Sequence, residues 1–180
     1  MRSSVRAAFC GILTALATVF MLLVPVIPVM LYCSPILSGI CVAIAAEEFG
    51  GRCAFGVYLA SSILSILLVA DKEAVSVFVL LAGAYPVLKY ALDHAKKRII
   101  GKSAVKLTVK LIYINAACAA YFFSAVLLLG VPRESFGSSL LLCVFLILGN
   151  IIMLAYDKAI NGMTAVYKIK FRGHILKGKR

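Results

Sequence analysis

AAFCGILTALATVFMLLV, residues 7–24, contains no charged side chain. At 1.5 Å of rise per residue it makes a helix of about 27 Å, close to the roughly 30 Å hydrocarbon core of a bilayer. Pro25-Val26-Ile27-Pro28 stops it, because proline has no N–H for a continuing helix. Arg2 and Arg6 precede the stretch, and Ala15-Leu16-Ala17 resembles the cleavage site of a secretory signal. The apolar run nevertheless continues to Leu31 without a polar break, so an uncleaved first helix is expected.

The same pattern recurs along the chain. Apolar segments are expected at 30–46, 53–69, 74–92, 111–129 and 138–156. They are separated by Glu47-Glu48-Phe49-Gly50-Gly51-Arg52, by Asp71-Lys72-Glu73, by a basic stretch from Lys96 to Lys110, and by Gly130-Val131-Pro132-Arg133-Glu134. Segments two and three are short for a full crossing, and Pro35 predicts a kinked or partly broken entry to the second. Of the 180 residues, 63% are hydrophobic and 14% charged, with a mean hydropathy of +1.06. A soluble core of this size cannot hide that excess. The expected fold is therefore an all-α integral membrane bundle of about six transmembrane helices, a single domain over 1–157 followed by a basic tail over 158–180.

Charge gives the orientation. The net charge of +12 would suggest nucleic acid in a soluble protein, but here it gathers between the apolar blocks and in the tail. With the N-terminus in the cytoplasm, sixteen of the nineteen Lys and Arg lie inside, only Lys72 and Arg133 lie outside, and Lys89 falls within the fourth helix. That bias predicts both termini cytoplasmic in a multi-pass protein of the cell membrane, with the lipid bilayer and not nucleic acid as its surroundings.

Few residues are chemically distinctive. Cys10, Cys33, Cys41, Cys53, Cys118 and Cys143 form no CxxC and have no nearby His, so they read as small apolar residues and no metal site is expected. His94 and His174 fall outside the apolar blocks, and HExxH, GxSxG and GxxxxGK[ST] are absent. Neither an enzyme nor a cofactor is expected, and any ATP-derived energy has to come from a partner. Asp71, Lys72 and Glu73 form the most charged outer connection, either a solute contact or a solvated turn. Tyr32, Ser34 and Tyr58 add mild polarity and, with the outer charges, are further solute candidates, and Ser61, Ser62 and Ser65 lie toward the outer half of the third helix. Asn150 sits near mid-bilayer and Asn115 nearer the cytoplasm, as interhelical glue or solute contacts. Pro86 frees a carbonyl in mid-membrane, and Lys89, four residues before Asp93, can pair with it on the same face. The region reads either as a gating or coupling element or as simple snorkelling of Lys89 to the cytoplasmic headgroups.

Ala7, Gly11 and Ala15 recur every four residues and form one stripe of small side chains on the first helix. Such a stripe serves either close packing inside the bundle or docking of another subunit. With the size, six helices with both ends inside, Arg6-Ala7-Ala8 opening the first helix and a proline-containing first outer connection, it resembles the substrate-binding S components of energy-coupling factor (ECF) transporters. The resemblance covers most of the chain by architecture, and Gly11 stands where that family has its central alanine. It implies that Ala7, Gly11 and Ala15 dock on a transmembrane coupling protein driven by two cytoplasmic ATPases. It also implies an outward-opening pocket for a small-molecule solute near Tyr32, Asp71, Lys72 and Glu73. Asp71-Lys72-Glu73-Ala74 and Ala84-Tyr85-Pro86-Val87-Leu88-Lys89 also look like segments of small uncharacterised bacterial membrane proteins. The alternative function is a non-catalytic membrane scaffold or regulator.

Overall fold

A computed structural model describes residues 3–25, 30–94, 103–128 and 139–170. The Lys96-Lys97-Arg98 stretch, the turn at 130–134 and the chain beyond 170 lie outside the described residues. Among those described there are six helices: α1 (Ser3–Leu22), α2 (Met30–Phe49), α3 (Gly51–Leu68), α4 (Lys72–His94), α5 (Ser103–Leu128) and α6 (Ser139–Lys170). The chain is an all-α bundle, and five of its helices, α1 to α5, are long and apolar enough to cross a membrane.

The distribution of side chains on α3 explains why the bundle needs lipid. Its buried face carries Ala54, Val57, Ser61, Ser62 and Ser65, whereas Leu59, Ile63, Leu67 and Leu68 are exposed. In water this arrangement would turn the core inside out, whereas in a bilayer the large apolar residues meet acyl chains. α2 is the central helix, and the residues buried on it are mostly small: Ser34, Ser38, Gly39, Cys41, Ala43, Ala45 and Ala46 among them. Small side chains let α1, α3, α4 and α6 approach its backbone closely. Ser38 Oγ donates to the Ala17 carbonyl of α1 at 2.8 Å, and Ser34 Oγ donates to that of Phe20.

Several helix boundaries differ from the hydropathy reading. α2 runs unbroken through Pro35, so its entry is not a broken helix. Pro35 lies in its second turn, where its missing N–H deprives only the Leu31 carbonyl. α5 begins at Ser103, ahead of the expected 111, and includes Lys106 and Lys110. α6 continues to Lys170, past the expected end at 156, so residues 158–170 are helix and not a free tail. Hydropathy marks where hydrocarbon ends, whereas a helix of good formers such as Ala, Lys and Met continues beyond it. The 32 residues of α6 make about 48 Å of helix, more than the roughly 30 Å of hydrocarbon.

Consecutive helices alternate in direction. At one end, called here the basic end, Phe9 of α1 packs edge-on against Phe49 of α2 at 5.4 Å, and Lys168 of α6 reaches Glu47 of α2 at 2.6 Å. Between α2 and α3 the turn is a single residue, Gly50, with φ 86° and ψ 173°. Those angles belong to a region essentially restricted to glycine.

Candidate functional site

The chemistry of the bundle concentrates in three layers: a mouth at the end opposite the basic one, a cavity beneath it, and an ionic lattice at the basic end. The mouth begins with Asp71, which caps α4 by accepting from the N–H groups of Glu73 and Ala74 at 3.0 and 3.2 Å. Lys72 Nζ turns back and donates to the Ile66 and Val69 carbonyls at the end of α3, at 2.9 and 3.1 Å. Both charges therefore hold helix ends. Glu73 is placed differently. Its Oε1 accepts from Tyr32 Oη of α2 at 2.9 Å and from Tyr121 Oη of α5 at 3.1 Å. One carboxylate oxygen thus joins three helices, and Oε2 keeps its acceptor capacity.

Tyr32 and Tyr121 also line a cavity of about 360 Å³ between α2, α4, α5 and α6. Its walls are apolar, with Ile36, Leu81, Cys118 and Ile152 among them, and it reaches down to Tyr156. Beneath lies an irregular part of α4. Residues Phe78–Ala82 form a π-helical turn, in which the Gly83 N–H bonds the Phe78 carbonyl at 2.7 Å. Pro86 has no N–H to offer the Ala82 carbonyl four residues back. Tyrosines from three other helices donate to carbonyls here: Tyr58 to Val79 at 2.8 Å, Tyr113 to Leu80 at 2.7 Å and Tyr156 to Ala82 at 2.9 Å. The carbonyl that Pro86 releases is thereby satisfied by the side chain at the floor of the cavity. Gly39 of α2 makes room for this contact, since a Cβ there would overlap both Tyr156 Oη and the Ala82 oxygen.

At the basic end, Asp157 of α6 lies between Lys89 of α4 and Lys110 of α5, with carboxylate contacts of 2.6 and 2.9 Å. Lys89 also donates to the Asp157 carbonyl at 3.0 Å. Asp93 is bonded to Lys106 at 3.1 Å. The sequence-based pairing of Lys89 with Asp93 is therefore corrected, as is its snorkelling alternative. Lys89 is buried and points into the bundle, where Asp157 lies, and a base four residues before an acid is the weaker helical orientation.

Of the residues expected at a solute site, Tyr32 and Glu73 come together, and Asp71 and Lys72 sit beside them as helix caps. Tyr58 instead supports the π turn. Asn150 donates to Asn115 of α5 at 3.3 Å, an interhelical bond, and to the Leu146 carbonyl of its own helix at 2.8 Å. Tyr121, Cys118 and Tyr156 were not expected at the site. The spacing Ile114, Cys118, Tyr121 on α5 is the helical repeat that would have revealed its inward face. Ala7, Gly11 and Ala15 all lie on the outer surface of α1, and a Cβ on Gly11 would meet nothing within 4 Å. Leu13, Ala17, Met21 and Val24 form the buried face of that segment, nearly opposite the stripe, so the internal-packing reading of the stripe does not hold. Among the described residues no group of His, Cys, Asp and Glu is arranged to hold a metal ion. No protein-family model, curated protein or solved structure matches the chain.

Proposed function

We propose that this chain is a solute-binding subunit of the cell membrane, comparable in role to an ECF S component. It captures a small molecule in the cavity between α2, α4, α5 and α6 and relies on partner proteins for energy. The observation that carries this reading is the cavity itself. About 360 Å³ with apolar walls and a few convergent polar groups at one end falls within the range of small-molecule sites. Two further features support it. The basic end corresponds to the cytoplasmic side under the positive-inside rule, which turns the Tyr32–Glu73–Tyr121 mouth outward. The small-residue stripe on α1 faces away from the bundle, available to a transmembrane coupling partner.

The test is whether a small molecule accompanies the full chain through purification in mild detergent, identified by mass spectrometry of the denatured sample. Leu81→Trp, which fills the cavity, should abolish the occupancy while preserving helicity. A chain that purifies empty and binds no compound from a membrane extract would remove the solute-binding reading. The scaffold reading would then account for the exposed stripe.

A further inference from the structure

We infer that the solute is an organic monocation: an amine or quaternary ammonium group carried on an apolar body. This rests on the cavity being a solute site, as proposed above, and adds the chemical class. Three observations converge on it. First, the walls are apolar along most of their length, so they accept a hydrocarbon or aromatic body and offer little to a polyol or a nucleotide. Second, the two cavity-lining phenols at the mouth, Tyr32 and Tyr121, both donate to one carboxylate oxygen, Glu73 Oε1. A cation held here meets the Glu73 carboxylate as counter-charge beside two aromatic side chains.

Third, the local charge has the right sign. The chain carries +12 overall, yet Asp71, Lys72 and Glu73 together carry −1. Asp71 is committed to the N–H groups of α4 and Lys72 to the carbonyls of α3, so Glu73 is the charge of this connection that meets the cavity-lining tyrosines. An anionic solute would lose its hydration beside that carboxylate without a counter-ion. A neutral one would gain no charge-assisted contact from that carboxylate.

The experiment uses the purified full chain in detergent and three probes sharing one aromatic body: phenethylamine, 2-phenylethanol and 3-phenylpropanoate, compared by equilibrium dialysis. The amine should bind at least tenfold more tightly than the alcohol, and the carboxylate more weakly than both. Glu73→Gln retains an acceptor for the tyrosines and should cost the amine at least tenfold while leaving the alcohol unchanged. Tyr121→Phe should keep the preference for the amine. Equal binding of amine and alcohol, lost together in Leu81→Trp, would overturn the cation inference and leave the solute-binding reading standing. Should no probe bind while another compound copurifies, its charge decides: a cation supports the inference and a neutral or anionic compound overturns it. No binding and no copurifying compound would remove both. The comparison of the three probes on the unsubstituted chain needs no variant to fold.

Discussion

Tyr156 is the residue on which most depends. It lines the cavity, supplies the hydrogen bond that Pro86 denies to the Ala82 carbonyl, and occupies the space that Gly39 leaves open. Tyr156→Phe orphans a buried carbonyl and should cost about 1–3 kcal/mol. Gly39→Ala overpacks the same spot and should cost a similar ~1–3 kcal/mol. Because the hydroxyl lost in one is the atom struck in the other, the double variant should be less destabilised than the sum. Unfolding in mixed detergent, followed by helicity, measures the cycle, and additive losses would show that the contact is not shared. Little of this was legible in the sequence. Pro86 announced a free carbonyl, but its partner lies 74 residues away from Ala82. A tyrosine in an apolar helix gives no sign of which carbonyl it serves. Glu73 and Tyr32 were legible because a charge and an aromatic at a segment end stand out against hydrocarbon.

At the scale of the element, hydropathy located each of the described helices and misjudged the ends of α5 and α6, where charged side chains continue the helix past the apolar stretch. The consequence is at Asp157, the first residue beyond the expected sixth span, which proves to be the hub of the basic end. Removing its charge leaves Lys89 and Lys110 facing each other with little water, so Asp157→Asn should cost about 3 kcal/mol. Asp93→Asn should cost less than about 1 kcal/mol, because its bond to Lys106 is far more exposed. Similar losses for the two in the same unfolding assay would mean that Asp157 is not a buried hub. On α1 the opposite expectation holds. Gly11→Leu adds its side chain to open space, so the melting temperature of the isolated chain should be within a few degrees of the parent. If the stripe docks a coupling protein as proposed, capture of that protein should fall severalfold in a pull-down, and a monomer that unfolds would return the stripe to the core.

For the whole molecule, the charge asymmetry and the structure agree on which helix ends lie together. Ion pairs between α2, α4, α5 and α6 gather at one end, and the Glu73 mouth lies at the other. In a chain whose native cysteines are replaced, a cysteine at Lys72 should react with an impermeant reagent from outside, and one at Lys168 only after the membrane is opened. The reverse pattern would invert the proposed orientation. The packing order of the helices was not legible, because apolar segments carry little record of which neighbours they choose, and choice rests on small residues such as those of α2. The one-residue turn at Gly50 bears on biosynthesis. With only that residue between α2 and α3, neither can enter the bilayer as a finished span while the other waits in water. Release into lipid as a paired hairpin is the expected route, and in the proposed orientation its charged apex of Glu47, Glu48 and Arg52 stays on the side of synthesis. With α1 already anchored, a cysteine placed in α2 of a nascent chain arrested just after that helix should therefore stay open to a water-soluble thiol reagent, and it should become protected once α3 has emerged.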